Sequence, residues 1–418
     1  MQKIRLGVIY GGPSVEHEIA VISAVQAMSA ADETKYEVIP VYISKQGLWY
    51  TGDALKDMSE YADLAGLLAK CQQVRMTADR GCHKLTYRPK GLFAKQQEIA
   101  LDVLLPVMHG AHGEDGCLQG FMELLNIPYA GPGVLAAAVG MDKIMMKNVL
   151  AANGLPVLPA VWFTADEWYA NPEQKLADVA SELGFPVIVK PANLGSSVGI
   201  ARAADENELA AALNEAAGFS NRLLIEPCLD VRREINCSVL GYGANTRASV
   251  CEEPLTDHAF LTYQDKYMSG GGGKGGKMAA DNSKLGSKTG GAKAGMGSSK
   301  RQVPADLPAE MSEEIQRLVQ KTFVALDGCG VARIDVMIDG RDDKIYINEI
   351  NTIPGSLSFY LWQASGLDFA GLIDELVEAA LWRQRTKDKL TFSYDTNILA
   401  SFAKGGAAGT KGTKGAKF

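Results

Sequence analysis

Residues 333–355 read RIDVMIDGRDDKIYINEINTIPG. Two strand-like runs flank DGRDD, a segment rich in turn-forming residues, so the stretch predicts a β-hairpin. Asp335, Glu349 and Asn351 interrupt runs that otherwise suit a protein core. The hairpin therefore raises the question of why three polar side chains occupy these positions.

The expected register places the polar residues on one face of the hairpin. With the loop centred on DGRDD, we expect Arg333 to lie opposite Glu349. Asp335 then lies opposite Ile347, and Asn351 falls on the same face as both pairs. Asp335 and Glu349 become diagonal neighbours about 7–8 Å apart. Two carboxylates at that separation repel each other unless a proton or a cation lies between them. With an amide oxygen beside them, they form a donor set that suits Mg²⁺.

A solvent-facing hairpin with ordinary surface charges is the alternative interpretation. The opposite face is apolar enough to join a core by itself, with the residues Ala332, Ile334, Val336 and Ile338 against Tyr346 and Ile350. The spacing alone leaves the metal site and the plain surface hairpin open.

The bulk composition is that of a globular protein. The chain has 418 residues, 47% hydrophobic content and a net charge of -7, which suffices for two or three domains. No apolar run approaches the roughly 18–20 residues that span a bilayer, and the N-terminus is not a signal-peptide pattern. The seven cysteines show no CxxC spacing, as in reduced cytoplasmic proteins. The acidic balance argues against nucleic acid as the main partner.

Two segments differ in composition from the rest of the chain. Residues 269–300 contain mainly Gly, Ser and Lys, and the tail over residues 404–418 is similar. Because neither segment offers much to bury, we expect both to be flexible. An adhesive arm for anionic polymers or lipids is the alternative function for such Lys/Gly segments.

Strands and helices alternate along the rest of the chain, which predicts an α/β and α+β class. The opening strand, turn, helix and second strand over residues 3–44 predict a Rossmann-like parallel sheet. Residues 99–110 predict one further strand, and residues 134–153 predict one helix closed by Gly154. We expect three domains, with limits at residues 1–135, 136–230 and 231–403.

Several positions carry candidate chemistry, each with a simpler explanation. Lys190 ends a strand before the small-residue loop NLGSS, which suits a phosphate but also an ordinary β-turn. Glu16 opens a helix, where an acidic residue is stabilised by the dipole without any function. Glu226 ends an apolar strand whose backbone could bind the edge of an adenine, but an ordinary edge strand has the same pattern. Lys143 faces either phosphate or water.

The loop MHGAHGEDG holds His109 and His112 at HxxH spacing. We expect no zinc site here, because no third ligand of the right kind is evident and the glycines indicate a loop. The loop follows a predicted parallel strand, and ligands bind at the carboxyl ends of such strands. No nucleophile elbow or Walker A loop is present, so lysines, Arg333 and carboxylates acting on phosphate oxygens indicate phosphoryl transfer.

Six motifs, taken together and in order, resemble the D-alanine–D-alanine ligases of the ATP-grasp superfamily. They are GGPSVEHE (11–18), MHGAHGEDGCLQG (108–120), MDK (141–143), PVIVKPANLGSSVGI (186–200), LTYQDKYM (261–268) and GVARIDVMI with YINEINTIPG (330–338 and 346–355). The resemblance covers nearly the whole chain outside the Gly/Lys segments. It implies an ATP-grasp fold of three domains with ATP between the second and third.

The resemblance also implies roles for individual residues. The positions matching phosphate, adenine or ribose contacts are Lys143, Lys190, Ser197, Lys266, Glu226, Leu229 and Glu234. The positions matching the ligands of two Mg²⁺ ions, or of Mn²⁺, are Asp335, Glu349 and Asn351. The positions matching catalytic and substrate-binding groups are Glu16, Ser196, Tyr267, Arg333, Gly355, His109 and Leu361.

The implied reaction joins two D-alanines through an acyl phosphate, releasing ADP and phosphate for peptidoglycan synthesis. Glu16, Ser196 and Tyr267 match a hydrogen-bonded trio that excludes water from the site. The tyrosine loop favours an amine acceptor, with D-serine as the alternative to D-alanine. A nucleotide-binding scaffold is the alternative from a different class. The family implies a cytoplasmic homodimer without membrane insertion.

Overall fold

The computed structural model describes residues 2–89, 93–195, 198–229, 232–255, 301–393, 396 and 399. These residues form three β-sheets of seven, four and five strands with helices packed against them. Within the described ranges, no helix is both long enough and apolar enough to cross a membrane.

The first sheet combines parallel and antiparallel strands in the order β6-β5-β4-β3-β2-β1-β7. The strands β1 (Ile4–Gly11), β2 (Tyr36–Ile43) and β7 (Val103–Val107) are parallel, as the sequence predicts. The antiparallel strands are β3 (Trp49–Thr51), β4 (Gln72–Met76), β5 (Lys84–Tyr87) and β6 (Gln97–Ala100). The helices of this region are α1 (His17–Ala30), α2 (Leu64–Lys70) and α3 (Cys117–Leu125), with 3₁₀ turns at Asp53–Lys56 and Met58–Asp63.

The predicted single strand over residues 99–110 is two strands. Only Leu101 and Asp102 separate β6 from β7, although these strands lie at opposite ends of the sheet order. The sheet therefore curves until its two ends meet. Asp102 fixes this corner, because its carboxylate accepts hydrogen bonds from the backbone N–H and guanidinium of Arg5. The apolar pattern does not reveal the break, because Asp102 is a single polar residue within the otherwise apolar run over residues 99–108.

The predicted single helix over residues 134–153 is likewise two helices, α4 (Val134–Met141) and α5 (Lys143–Ala152). Asp142 between them has φ -95° and ψ 105°, and its side chain accepts a hydrogen bond from the backbone N–H of Met145. An aspartate that caps the second helix in this way ends the first. Gly154 closes the second helix at φ +68°, as predicted.

The second sheet is antiparallel in the order β10-β9-β11-β8. Its strands are β8 (Val161–Thr164), β9 (Val187–Pro191), β10 (Ala201–Ala203) and β11 (Arg222–Pro227). The helices α6 (Ala165–Ala170), α7 (Pro172–Glu182) and α8 (Glu206–Ala217) belong to this region. One apolar core joins the sheet to its helices through residues such as Phe163, Trp168, Val189 and Leu213.

The third sheet has the order β14-β13-β12-β15-β16. Its strands are β12 (Arg232–Tyr242), β13 (Asn245–Pro254), β14 (Arg301–Gln302), β15 (Cys329–Asp339) and β16 (Lys344–Asn351). The helices are α9 (Ala309–Ala325), α10 (Phe359–Ala364) and α11 (Phe369–Lys387), with a 3₁₀ turn at Gly355–Ser358. Helix α11 packs in the core of the first sheet, where Leu372 and Leu376 join Leu6 and Val8. The domain limits at 135 and 230 stay predictions.

The hairpin β15–β16 has a different register from the predicted one. Asp335 lies opposite Glu349 and Arg333 lies opposite Asn351, whereas Val336 lies opposite Ile347. The extra residue is Asn348, which forms a β-bulge and shifts the pairing by one position. The predicted pairs, Arg333 with Glu349 and Asp335 with Ile347, are therefore wrong.

The bulge also corrects which side chains lie on each face. Ile347 is fully buried in the apolar core with Val336 and Ile338, instead of sharing a face with the carboxylates. Tyr346 lies on the opposite face, next to Met337. A regular strand that kept Asn348 in register would place Ile347 and Glu349 on the same face, so only the bulge lets it bury Ile347 and keep Glu349 beside Asp335 on the polar face.

Candidate active site

A cleft between the second and third sheets collects most of the predicted site residues. The predicted residues that line it are Lys143, Lys190, Glu226, Leu229, Glu234, Arg333, Asp335 and Glu349. Unpredicted polar residues also line it, namely Arg202, Arg232, Asn236 and Asn348. We refer to this space below as the cleft.

The carboxylate of Asp335 is held by two neighbours on the same face. Arg333 donates two hydrogen bonds to it, from Nε to Oδ1 at 2.7 Å and from Nη2 to Oδ2 at 2.8 Å. The side-chain amide of Asn351 donates to Oδ2 at 3.1 Å. Burial lowers the pKa of a guanidinium, but Asp335 outweighs burial and raises the pKa of Arg333 well above its usual value. Arg333 is therefore a permanent cation at the cleft.

Glu349 faces Lys143 across the cleft. The ammonium of Lys143 lies 3.5 Å from Oε2 of Glu349 and donates a hydrogen bond to the carbonyl oxygen of Leu194 at 2.7 Å. The backbone of each residue belongs to a regular element: Lys143 is the first residue of α5, and Glu349 follows the bulge in β16. The carboxylate pair therefore has a cation at each end: Lys143 beside Glu349 and Arg333 beside Asp335.

Glu226 is a buried carboxylate between two lysines. It is 1% exposed and forms ion pairs with Lys147 and, at 2.5 Å, with Lys190. Burial would raise the pKa of Glu226, but the charges of the two lysines outweigh burial and lower it to about 2. Lys190 also donates to Oδ1 of Asn348 at 3.1 Å, so the bulge residue helps to hold this lysine. Lys190 is thus directed along the cleft by two acceptors.

An apolar end of the cleft lies beside Glu226. Leu229 packs with Leu158, Met337 and Tyr346 in a small cluster of its own. Glu234 stands at its edge, paired with Arg232 at 3.0 Å, and its side chain is 34% exposed. A flat apolar group between these side chains would have carboxylate and guanidinium groups at its rim.

Glu16 lies on the other side of the site, at the start of α1. The residue is 8% exposed, and its backbone N–H donates to Oγ of Ser14 at 3.1 Å. A Cβ added to Gly110 would lie 2.8 Å from Oε2 of Glu16, and one added to Gly195 would lie 3.1 Å from it. The loops after β7 and β9 therefore both approach this carboxylate closely, and Gly110 has the positive φ of +73° that favours glycine.

His109 is 3% exposed and both ring nitrogens have partners. Its Nδ1 bonds the carbonyl oxygen of Ile353 at 2.8 Å, and its Nε2 bonds Oγ of Ser23 at 3.1 Å. Burial lowers the pKa of His109, and this effect outweighs the nearby charge of Glu16, which raises that pKa. The ring is therefore neutral at ordinary pH, with its proton on Nδ1, since a carbonyl only accepts.

The two histidines of HxxH do not converge. His112 is exposed and stands in a small cluster with Asp115 and Cys117, while His109 points into the protein. Asp115 and Cys117 are therefore possible ligands near His112, where the sequence predicted none. Asp115 already accepts hydrogen bonds from the backbone N–H groups of His112 and Cys117, so the cluster is an ordinary loop structure.

Glu114, which was not among the predicted site residues, reaches across the site. Its Oε2 accepts a hydrogen bond from the N–H of Gly110 at 2.9 Å, and its Oε1 accepts one from the N–H of Ile353 at 3.0 Å. Burial, with a contribution from Glu16, raises the pKa of Glu114 to about 8. A carboxylate among glycines after a parallel strand was the available signal.

The segment after β16 turns sharply at the edge of the site. Gly355 begins a 3₁₀ turn in which Ser356, Leu357 and Ser358 all have φ between 50° and 53°. Three successive non-glycine residues in the left-handed region are unusual and require support from their surroundings. Ser356 has such support, because its N–H donates to Ser23 and its hydroxyl donates to Gln26. Leu361 follows in α10 and is fully buried.

Four predicted site residues, Ser196, Ser197, Lys266 and Tyr267, lie outside the described residues, as does the segment 269–300. Their roles stay predictions, as do those of all the other predicted site residues, Gly355 and Leu361 included.

Two family models match the chain. The model described as D-ala D-ala ligase N-terminus matches residues 5–132, and the model described as D-ala D-ala ligase C-terminus matches residues 149–284 and 291–378. Among curated proteins, the D-alanine–D-alanine ligase of Bacillus cytotoxicus is 36% identical over 400 residues, covering 94% of this chain and 100% of its own. That of Thermosipho melanesiensis is 37% identical, covering 95% and 98%.

Solved structures agree with these matches. The D-alanine-D-alanine ligase of Coxiella burnetii superposes with a TM-score of 0.72 at 27% identity, covering 98% of this chain and 100% of that one. The VanG D-Ala:D-Ser ligase of Enterococcus faecalis superposes with a TM-score of 0.72 at 26% identity, covering 91% and 100%. Together with the two family models, these similarities show that the chain belongs to the D-alanine–D-alanine ligase family and has its ATP-grasp fold.

Proposed function

We propose that this enzyme joins two D-alanine molecules into D-alanyl-D-alanine and that each turnover converts one ATP to ADP and phosphate. The observation that carries the proposal is the pairing of Asp335 opposite Glu349, with Arg333 and Lys143 as the cations at either end. The two cations, together with a metal ion that the two carboxylates would hold, would neutralise a transferring phosphate group, and phosphoryl transfer depends mainly on charge neutralisation and positioning. The family of the chain supports the same reaction.

Mg²⁺ fits the oxygen donors at this pairing. Asp335 and Glu349 supply carboxylates from facing strands, and Asn351 adds an amide oxygen one residue pair away. Hard oxygen ligands at a rigid sheet, with space for phosphate oxygens, suit two Mg²⁺ ions or Mn²⁺. When bound, the metal neutralises the phosphate oxygens of ATP. Arg333 would then exchange part of its contact with Asp335 for the transferring phosphate.

The nucleotide occupies the cleft between the second and third sheets. Leu158, Leu229 and Met337 enclose the adenine, and Glu234 meets the ribose at the cleft edge. Lys143 and Lys190 contact the phosphates, and Glu226 keeps Lys190 oriented towards them. Lys266 and Ser197 add further phosphate contacts in this proposal.

The donor D-alanine binds between the first and third sheets. Glu16 accepts the ammonium group of the donor, next to His109 and the close approach of Gly110. A donor carboxylate oxygen attacks the γ-phosphorus, the bond to the β-phosphate oxygen breaks, and ADP leaves. Arg333 stabilises the charge that moves onto the donor carboxyl group.

The second step forms the peptide bond. The free amine of the acceptor attacks the acyl phosphate carbon, and the tetrahedral oxyanion is stabilised by Arg333 and the backbone N–H of Gly355. The carbonyl re-forms, phosphate leaves with the oxygen that it gained, and the amine loses a proton. Leu361 contributes to the acceptor pocket, and Glu16, Ser196 and Tyr267 exclude the water that would hydrolyse the intermediate.

D-serine is the alternative acceptor, because one structural relative is named a D-Ala:D-Ser ligase. In this proposal the dipeptide serves peptidoglycan synthesis, in the cytoplasm and on a homodimer. The TYQDKY sequence at 262–267 favours D-alanine over D-lactate as acceptor.

The test is product analysis by mass with ATP, Mg²⁺ and D-alanine, D-serine or D-lactate. D-alanyl-D-alanine that forms only when both ATP and Mg²⁺ are present would support the proposal. A mixed product as the main species in D-alanine plus D-serine would keep the ligase and change the acceptor. No phosphate release with any substrate would contradict the proposed function and return attention to the scaffold alternative.

A further inference from the structure

Glu114 joins two loops that lie far apart in the sequence. One oxygen accepts a hydrogen bond from the N–H of Gly110 at 2.9 Å, and the other accepts from the N–H of Ile353 at 3.0 Å. The second bond spans 239 residues. One side chain therefore connects the loop after β7, in the first sheet, with the segment after β16, in the third.

His109 holds Ile353 a second time. The N–H of Ile353 donates to Glu114, while its carbonyl oxygen accepts from Nδ1 of His109 at 2.8 Å. Because Nδ1 carries the proton, Nε2 accepts from the hydroxyl of Ser23 at 3.1 Å. That hydroxyl oxygen in turn accepts from the N–H of Ser356 at 2.8 Å. Both backbone groups of Ile353 are thus bound by the loop after β7.

Both ends of the Glu114 bridge lie next to residues of the proposed site. Gly110 approaches the carboxylate of Glu16, which receives the donor ammonium in the proposed function. Ile353 lies midway between Asn351, a proposed metal ligand, and Gly355, whose N–H meets the oxyanion. A change in the Glu114 bridge would therefore move the donor-binding residues relative to Gly355, whose N–H stabilises the oxyanion at the acyl carbon in the proposed function.

We propose that Glu114 is a positioning residue for peptide-bond formation, which holds the donor-binding loop at Gly110 against the segment that carries Asn351 and Gly355. The inference rests on the proposed function for its kinetic consequence. The geometry favours this role over ordinary loop stability, because the two carboxylate oxygens of Glu114 accept hydrogen bonds from backbone groups at opposite sides of the site. Both oxygens of its neighbour Asp115 accept hydrogen bonds within their own loop.

Glu114→Gln is the appropriate variant, and Asp115→Asn is its matched control. The glutamine has nearly the same shape, but its amide nitrogen would face a backbone N–H, so one of the two bonds is lost. The control makes the same chemical change in the same loop. It removes one of the bonds from His112 and Cys117 to Asp115 and leaves Ile353 untouched.

We expect Glu114→Gln to lower kcat/KM for D-alanine by about 100-fold, because misplacement by an ångström costs that much. ATP affinity, measured by calorimetry without D-alanine, should stay as in the parent, since Glu114 is absent from the cleft lining. Asp115→Asn should keep parent kinetics. Parent kinetics in Glu114→Gln, or an equal loss of ATP affinity and turnover, would overturn the proposal.

Hydrogen exchange separates this proposal from the proposed function. In Glu114→Gln without substrates, peptides covering 109–113 and 351–358 should both exchange faster than in the parent, whereas Asp115→Asn should affect only the first. If the parent makes no dipeptide, the proposed function fails, but the exchange pattern still decides whether Glu114 joins the two loops. Unchanged exchange at 351–358 in Glu114→Gln would overturn the inference even in an active ligase.

Discussion

Asp335 and Glu349 face each other directly across β15 and β16, and the bulge at Asn348 makes this pairing possible. On the core side of the bulge Ile347 is buried, and on the cleft side Glu349 meets Asp335. A regular hairpin that kept Asn348 in register would supply one of these arrangements but not both, because side chains alternate between faces. The bulge therefore reconciles a continuous apolar core with a convergent pair of carboxylates.

Deletion of Asn348 should keep the carboxylate pair and dipeptide formation. Without the bulge residue, Ile347 and Glu349 become consecutive, so regular alternation keeps Ile347 and Ile350 in the core and Glu349 and Asn351 on the cleft face. The control is Asn348→Ala, which keeps the residue count and removes only the hydrogen bond from Lys190. We expect the control to lose less than about tenfold in turnover. Product formation is measured by mass, with near-UV circular dichroism to confirm folding. Turnover by the deletion far below that of Asn348→Ala would contradict the register of the hairpin.

Asp335→Asn and Glu349→Gln should each lower kcat by about 100-fold or more, because each removes a carboxylate ligand of the metal that would neutralise the transferring phosphate. The fold should persist, since both side chains lie on the cleft face. Asp342→Asn is the control on the same hairpin, where the carboxylate pairs with exposed Lys344. Steady-state kinetics over a range of Mg²⁺ concentrations provide the measurement. Near-parent turnover in both cleft variants would show that the metal assignment is wrong.

Glu226→Gln should destabilise the protein by roughly 3–5 kcal/mol, because it breaks a buried ion pair and leaves Lys147 and Lys190 without a counter-charge. The surface pair of Lys84 and Glu98 supplies the control. Glu98→Gln should cost about 0–1 kcal/mol. Urea denaturation of both variants measures the difference, and equal costs would contradict the account of the buried pair.

The cost of Glu226→Gln should also depend on pH. The folded pKa of Glu226 is about 2, below the value of about 4.3 for an unfolded chain. A lowered carboxyl pKa contributes stability that is fully present above the unfolded value and is lost as pH falls through the folded value. The difference between parent and variant should therefore stay constant above pH ~4.3 and shrink towards pH ~2. A difference that grew on acidification would reverse the assigned direction.

Deletion of residues 270–299 should leave ATP affinity intact. The chain leaves the third sheet after β13 and returns in β14, and these strands pair at Pro254 with Arg301, so the ends already meet. Shortening a connection between fixed, adjacent ends changes little free energy. Calorimetry with ATP measures the effect. Loss of nucleotide affinity would show that the segment does more than connect.

A second deletion tests whether the neighbouring motif acts differently. Removal of 261–268, which contains Lys266 and Tyr267, should abolish dipeptide formation while keeping the same pair of strand ends. Dipeptide formation is measured for both deletions. Equal rates in the two would contradict the distinction between a connecting segment and a catalytic motif.

The sequence predicts the elements better than their junctions. The opening β1, α1 and β2 were predictable because glycines bound runs of clear periodicity. The corner at Asp102 was not, because its cause is a contact with Arg5, far away in the sequence. The bulge at Asn348 was also not predictable, because nothing in the residue pattern of the hairpin marks one residue as unpaired.

The candidate site shows the same limit. Asp335, Glu349 and Asn351 were predictable as a group, because they interrupt apolar strands with one periodicity. The position of Glu114 among glycines after a parallel strand was a signal, but its role was not predictable, because that role depends on reaching a segment 239 residues away. Sequence patterns indicate which chemistry is present, whereas long-range hydrogen bonds decide which residues hold it in position.

The transfer of oxygen from D-alanine to phosphate tests the central claim most directly. D-alanine labelled with ¹⁸O in its carboxyl group is incubated with the enzyme, ATP and Mg²⁺, and the released phosphate is analysed by mass. An acyl phosphate intermediate predicts that each phosphate carries one labelled oxygen, in step with dipeptide formation. Unlabelled phosphate accompanying dipeptide would contradict attack by the donor carboxylate on the γ-phosphate.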